Sequence, residues 1–390
     1  MNSASTDFSL ALIRQRYTPF GGAERFLDRA MGALQAQSGV GITLIARRWQ
    51  GEVSGLQTIA CNPPYWGRLW RDIGFAHCVQ RQLRRRHFHL VQSHERLAGC
   101  DLYRAGDGVH RVWLEQRART LGWVGRLATR MSPYHRYVLA AERRLFTSPT
   151  LRAVICNSQM VQGEIRRCFN TPTEKLHVIY SGVDAERFHP SLQERHREET
   201  RQRWSIPREA LLLLFVGSGF QRKGVPLLLE AMAELPDSVW LLVVGEDRQR
   251  TLLQRRAQRL GVASRVLFTG GQRQVEPLYG AADLLVLPTL YDPFPNVALE
   301  GMAAGLPLVT THQCGAADLI RHGENGLLGD ALDRRRLVEN IASLQADPRR
   351  RRAMAQAARQ TVAPLTLEAM SQRLLRLYEQ LLQEGAAGQS

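Results

Sequence analysis

No apolar run in this chain approaches the roughly 20 residues that a membrane-spanning helix requires. The longest runs, at 211–216 and 240–244, have the length of buried strands. Nothing is therefore expected to cross a bilayer. Cysteines are few, six in 390 residues, scattered without a C-x-x-C pair or a Cys/His cluster at metal-ligand spacing. Reduced thiols are expected, because disulfide frameworks belong to small secreted chains, and no metal site is predicted. The first seven residues lack the basic-then-apolar pattern of a secretory signal, and the apolar stretch that follows is broken by Arg14 and Arg16. Export is not expected. Acidic residues are outnumbered, 36 against 52 Lys and Arg, so the formal charge of +16 calls for an anionic partner: nucleic acid, an anionic membrane surface or a phosphorylated substrate. With 44% hydrophobic and 23% charged residues, the chain has material for two ordinary cores.

The C-terminal half is the more legible. Residues 211–216, 240–244, 266–269, 284–287 and 306–310 are short runs rich in Leu and Val, mostly closed by Gly, Pro or Thr, as strands buried on both faces of a parallel sheet should be. Helical patterns lie between them at 225–235, 248–260, 274–281 and 296–304, so strand and helix alternate as a doubly wound sheet requires. The N-terminal half repeats the logic, with strands at 8–13, 41–46, 90–93, 102–104 and 153–157 and helices at 23–37 and 159–168. The fold class is α/β, with two doubly wound Rossmann-like domains. Segment 178–190 runs through a Gly turn to Pro190 and a charged, helix-prone stretch follows at 192–204. This predicts an N-terminal domain over 1–190 and a C-terminal domain over 191–366. In the remaining 367–390, a last helix carries Met370, Leu374, Leu377 and Leu381 as one apolar stripe that could pack on either domain.

Residues 65–146 mix Arg with aromatics, among them Trp66, Trp70, Trp123, Arg126 and Arg130. A solvated helical insertion accounts for them, and so does an interfacial surface with Trp at headgroup level and Arg on anionic phosphates. A single-strand nucleic-acid platform uses the same residue types, but no known nucleic-acid module signature accompanies it.

Three turns carry residues suited to chemistry. In TLYDPFPNVALEGMAAGLP (289–307), Asp292 and Glu300 are separated by seven residues across a Pro-rich turn that opens a helix near Asn296. A helix N-terminus offers unpaired N–H groups to an anion, and a carboxylate one turn in is suited to accept hydrogen bonds from ribose hydroxyls. Asp292 as a plain helix cap is the simpler reading. In GSGFQRKG (217–224), placed between strand and helix, Arg222 and Lys223 sit where a diphosphate would need two cations; alone, they read equally as a solvated surface pair. Gly21 and Gly22 occupy the first strand-to-helix turn of the N-terminal half, where a Gly-Gly pair is also ordinary turn chemistry.

Together these segments resemble glycosyltransferase family 4, and within it the lipopolysaccharide core glucosyltransferase I group. The acid-x7-Glu block, the Gly-Gly loop, the Lys-Gly after the first strand of the second domain and the interdomain Gly182-Val183-Asp184 occur in family order over nearly the whole chain. The narrower resemblance rests on VGSGFQRKGV, YRAGDGVHRVWLE (103–115), SPYHRYVLAAERRLF (132–146) and TTHQCGAADLI (310–320). Two departures are present. Asp292 stands where the family usually has Glu, and Ser218 stands where many members carry Arg, its charge supplied instead by Arg222.

The resemblance implies a GT-B architecture, two Rossmann-like domains facing across a cleft, and a retaining transfer of a hexose, glucose, from a UDP-sugar to a heptose of the lipopolysaccharide inner core. Other donors or acceptors, such as N-acetylhexosamine, O-antigen or another glycolipid, remain open, as does a UDP-sugar epimerase. By resemblance Glu300 holds the ribose and Arg222 and Lys223 the diphosphate. Asp292 and the amides around Phe294 to Asn296, a stretch that includes Pro295, hold sugar and phosphate in the same scheme, with Ser218, Gly21, Gly22 and Gly315 lining the donor site. Asp107, in the AGDGVH segment, is expected to orient or deprotonate the acceptor hydroxyl together with Asp292 in the catalytic set, though a structural Asp fits the same position. No cofactor beyond the UDP-sugar co-substrate is expected, and there is no Asp-x-Asp pair to hold a metal. The expected partners are the UDP-sugar, a phosphorylated lipid-linked saccharide and an anionic membrane, not nucleic acid, with a peripheral location on the cytoplasmic face of the inner membrane.

Overall fold

The computed structural model describes residues 8–17, 40–49 and 57–387. They form two units: one takes the chain up to Ser181 together with everything from Leu367 onward, the other is Gly182–Thr366. The boundary expected near Pro190 lies at Gly182, because Val183 and Thr366 form a parallel bridge and the Val183 amide donates to Leu365 O (2.9 Å), so the chain enters and leaves the second unit at one point.

In the first unit, β1 (Phe8–Tyr17), β2 (Val40–Trp49), β3 (Gln57–Ala60), β4 (Leu90–Ser93), β5 (Leu102–Arg104), β6 (Ala153–Cys156) and β7 (Leu176–Val178) make an all-parallel sheet in the order β3-β2-β1-β4-β5-β6-β7. Helix α1 (Gly67–Arg85) connects β3 to β4, and α2 (His110–Ala118), α3 (Trp123–Met131) and α4 (Pro133–Phe146) lie between β5 and β6, followed by α5 (Gln159–Phe169). The segment expected as a helical insertion is therefore four helices with two strands of the sheet among them. β3 carries no run of apolar residues and sits exposed at the sheet edge, which is why its sequence does not announce a strand.

The second unit repeats the plan. After α6 (Ser191–Arg203) come β8 (Leu211–Val216), α7 (Val225–Glu234), β9 (Val239–Val244), α8 (Arg250–Arg259), β10 (Val266–Gly270), α9 (Glu276–Ala281) and β11 (Leu284–Leu287). Then follow α10 (Asn296–Ala303), β12 (Leu308–Thr311), β13 (Gly326–Gly329), α11 (Arg334–Ala346) and α12 (Pro348–Val362). The parallel sheet runs β10-β9-β8-β11-β12-β13. All six residues of β8 and all four of β11 are buried, the signature of central parallel strands covered on both faces. Arg201, 3% exposed, ties α6 beneath this pair: it donates to Asp283 Oδ2 (2.7 Å), and the same oxygen accepts the Leu212 amide (2.8 Å).

The last helix, α13 (Leu367–Ala387), packs on the first sheet. Met370, Leu374, Leu377, Tyr378 and Leu381 join Leu10, Leu12, Ile42, Leu44, Leu90 and Ile155 in one buried cluster. The Tyr378 hydroxyl donates to Gln92 on β4, satisfying a polar group that burial would otherwise penalise.

One expectation is corrected. Cys61, just past β3, and Cys78, on α1, are joined as a disulfide with Cα atoms 5.6 Å apart; Cys100, Cys156, Cys168 and Cys314 are free. The pair is separated by 17 residues, and only the return of α1 along the sheet brings the two together, so spacing along the chain carries no sign of it. A Leu374→Ala substitution, which empties a fully buried position under the first sheet, is expected to lower stability by about 2–5 kcal/mol, read as a fall in the thermal transition of the first unit by circular dichroism or calorimetry.

Candidate functional site

Both sheets reverse strand order at one point, where the loops leaving two adjacent strands diverge and open a crevice at their carboxyl ends. In the second sheet this point lies between β8 and β11. The loop after β8 carries Ser218, Arg222 and Lys223, and the loop after β11 carries Asp292 to Asn296. The structure brings Arg222, Lys223 and Asp292 together.

The first loop turns on glycine. Gly224 has φ +80°, and a Cβ there would stand 1.9 Å from the Pro288 carbonyl oxygen, so no side chain fits between the two loops. At Gly217 a Cβ would meet the Lys223 side chain at 3.0 Å, because that chain folds back over the turn. Its ammonium lies 3.1 Å from Asp292 Oδ2, and Arg222 Nη1 lies 3.5 Å from the same oxygen while donating to Tyr291 O at 2.7 Å. In return Arg222 O accepts the Leu290 amide (2.8 Å). Lysine occurs elsewhere only at Lys175, in a chain that otherwise builds its positive charge from arginine. Here the charge is a compact ammonium on a flexible stem, folded against the Gly217 turn.

Asp292 is 7% exposed. Its amide donates to Gln313 O (3.0 Å) and its carbonyl accepts the Gly315 amide (2.8 Å), in a bridge with Cys314. The simpler helix-cap reading does not hold: Pro295 precedes α10, and no side-chain cap bond is made there. Asp292 instead holds cations. One carboxylate against two cations leaves this cluster net positive. Gly315 begins a 3-10 turn beside it, so the Gly315 loop joins the same cluster. Ser218 is exposed on the turn, and Phe294 and Pro295 are buried before α10, with Asn296 at its first residue.

Glu300, one turn into α10, accepts a hydrogen bond from Tyr279 Oη at 2.8 Å. Tyr279 is fully buried, and burial drives its hydroxyl well above its usual pKa, so it stays a donor. This tyrosine was not identified from sequence. It lies on short α9, 21 residues before its partner, and only the folded chain brings the two together.

In the first unit, Gly21 and Gly22 lie outside the described residues. Asp107 is 79% exposed, its Oδ2 3.9 Å from Arg96 Nη1. Arg96 is fixed by Glu142 Oε1 (2.9 Å), which also accepts the His110 amide (2.7 Å). The AGDGVH segment and SPYHRYVLAAERRLF, both quoted for the resemblance, thus meet through this buried carboxylate, whose role sequence did not disclose.

Helix α3 has no buried residue; Trp123 (79% exposed), Val124, Leu127 and Met131 share one helical face, with Arg126 and Arg130 beside it. It packs on α4, as does α1, whose approach presents Trp66 at 90% and Trp70 at 60% exposure. No described helix is long and apolar enough to cross a membrane.

Two family models match the sequence: "Glycosyltransferase Family 4" over residues 20–187 and "Glycosyl transferases group 1" over 196–361. The chain is 30% identical over 322 residues to the lipopolysaccharide glucosyltransferase WaaG of Escherichia coli K12, covering 81% of this chain and 84% of that one. It is 28% identical over 319 residues to a D-inositol 3-phosphate glycosyltransferase of Corynebacterium urealyticum, with 75% and 72% covered. The crystal structure of WaaG superposes with a TM-score of 0.80 at 27% identity, over 94% of this chain and 98% of that one.

The loop contact at Gly224 yields a direct test. Gly224→Ala and Gly261→Ala both place a side chain at positive φ, but only the first meets backbone, since nothing lies within 4 Å of Gly261. Gly224→Ala is expected to lose about 1–3 kcal/mol more in urea unfolding, with a parallel loss of activity.

Proposed function

The chain belongs to glycosyltransferase family 4 and is a glycosyltransferase of GT-B fold; from that premise we propose that it moves glucose from UDP-glucose to a heptose of the lipopolysaccharide inner core, with retention of anomeric configuration. The observation that carries this reading is the convergence of Arg222 and Lys223 on one carboxylate at the reversal of the second sheet, which leaves a net positive charge for a diphosphate. Glu300, oriented by Tyr279, takes the ribose hydroxyls. Asp292, Ser218, Gly315 and the backbone of Phe294, Pro295 and Asn296 contact the sugar and its phosphate.

Charge held in place before reaction stabilises a departing diphosphate without reorganisation, so transfer needs no covalent intermediate, metal or further cofactor. The family resemblance assigns Gly21 and Gly22 to donor binding as well. Asp107, exposed and next to Arg96, orients the acceptor hydroxyl. The similarity to the inositol phosphate transferase supports a second reading, in which the same site serves a different phosphorylated polyol.

The surplus of arginine and the exposed aromatic face of α3 support peripheral attachment to the anionic cytoplasmic face of the inner membrane, where a phosphorylated lipid-linked acceptor lies. Indole rings reach the headgroup level while arginines pair with phosphates.

Incubation with a panel of labelled UDP-sugars, with and without heptose-terminated lipopolysaccharide, is expected to give acceptor-dependent transfer from UDP-glucose. Lys223→Ala should lower kcat about 100-fold or more, and Glu300→Ala should raise the donor KM about tenfold, both with unchanged circular dichroism. No uptake of UDP or any UDP-sugar in calorimetry by folded protein would overturn the reading. The membrane component predicts pelleting with anionic vesicles at low salt that declines as salt screens it, and that Trp123→Ala with Leu127→Ala reduces; the absence of any pellet at low salt would refute it.

A further inference from the structure

The first sheet reverses its order between β1 and β4, and here too a recess lies at the carboxyl ends of the two strands. Its volume is about 50 Å³, and its polar lining is Gln15 from the end of β1, Glu95 and Arg96 from the loop after β4, Asp72 on α1, and Tyr134 and Tyr137 on α4. Phe75 and Val138 supply apolar wall. The lining is cross-braced: Glu95 Oε1 accepts the Gln15 amide (2.9 Å), and Asp72 Oδ1 accepts both Gln15 Nε2 (3.1 Å) and Arg71 Nε (2.8 Å).

This chemistry disfavours an anion. Among the described lining residues two carboxylates and two phenols face the space, and the guanidinium of Arg96 is held by Glu142, by Gly108 O (3.2 Å) and beside Asp107. What suits it is a neutral group rich in hydroxyls, each able to donate to a carboxylate and exchange hydrogen bonds with a phenol. At about 10–15 Å³ per water on the same measure, the recess has room for a hydroxyl-bearing arm of a few heavy atoms.

We propose that this recess is an acceptor subsite that receives the exocyclic, hydroxyl-bearing arm of the acceptor sugar, with Glu95 and Asp72 accepting hydrogen bonds from its hydroxyls. The proposal rests on the transferase reading above and names the part of the acceptor the first unit selects. A heptose differs from the corresponding hexose in this arm, which is longer by one CHOH, so the recess is a device for telling the two apart.

Burial raises the Glu95 carboxyl to about 7, reinforced by Asp107 and opposed by the Gln15 amide, Arg14 and Arg96. Among the described residues the other titratable groups around it are Arg71 and Asp72 on α1, Tyr103 on β5, Tyr134 and Tyr137 on α4 and, behind Arg96, Glu142. Burial shifts all three phenols upward, so they remain protonated donors. His94 next door is pushed well below its usual range by burial and remains neutral. Raising pH through 7 ionises Glu95 and makes it the stronger acceptor, so affinity for a hydroxyl-bearing arm should rise between pH 6 and 8.

The test is titration calorimetry of the full chain with methyl L-glycero-α-D-manno-heptoside and methyl α-D-mannoside, which differ by that CHOH, and with UDP-glucose in parallel. Wild type is expected to prefer the heptoside about tenfold, with affinity increasing from pH 6 to 8. Glu95→Gln should abolish the preference and flatten the pH profile while UDP-glucose uptake is unchanged. Tyr134→Phe, which removes one hydroxyl from the rim, should reduce the preference and serves if Glu95→Gln does not fold. Equal binding of the two glycosides, or none, by protein that takes up UDP-glucose overturns the recess proposal alone. A heptoside preference lost in Glu95→Gln, without any UDP-glucose uptake, sustains the recess and overturns the donor reading.

Discussion

A carboxylate nearly removed from water, Asp292, is compensated by Lys223 and Arg222 from a loop on a different strand. Taking away one partner of such a pair leaves a buried charge, at about 3–5 kcal/mol, so the loops after β8 and β11 hold their positions as one unit. The Gly315 turn joins through the Asp292 backbone. Within the second unit the neighbouring pieces follow from that pairing: Arg222 is aimed by Tyr291 O, the Gly224 turn presses on Pro288, and α10 starts where the second loop ends, carrying Glu300 toward Tyr279.

The same strand order recurs in the first unit, with different chemistry at its reversal. Where the second sheet presents cations, the first presents carboxylates, phenols and one neutralised guanidinium. A doubly wound sheet supplies the crevice in both cases, because loops diverge where strand order reverses, and the side chains decide what enters it. A phosphate-bearing group suits the positive crevice, and an uncharged hydroxyl-bearing group suits the other.

Arginine supplies nearly all of the positive charge, and several arginines are structural. Arg201 and Arg265 are buried under the second sheet, where they donate to four and four bonds, respectively, to main-chain carbonyls and, for Arg201, to Asp283 as well. The net charge of +16 is therefore not all available to a partner, and the surface argument rests on α3 and its neighbours, where Trp123 and Leu127 stand in water beside Arg126 and Arg130.

How much was legible in sequence follows from how local each signal is. The second sheet announces itself through runs such as 211–216 and 284–287, because strands buried on both faces must be apolar throughout, and the Gly-rich turn and acid-x7-Glu block mark its loops in place. The edge strand β3, exposed on most of its residues, has no such requirement and stays silent. Amino-acid order alone determined the two α/β domains, the apolar stripe of the last helix and the residue types at each turn, since these depend on periodicity and on local backbone constraint. Tertiary structure decided which sheet that stripe covers, that Cys61 meets Cys78, that Asp292 binds cations rather than capping a helix, and that Tyr279 meets Glu300, Glu142 meets Arg96 and Glu95 meets Gln15. Each of these joins residues from separate elements, and contacts between elements depend on packing in three dimensions, which leaves no period or spacing along the chain.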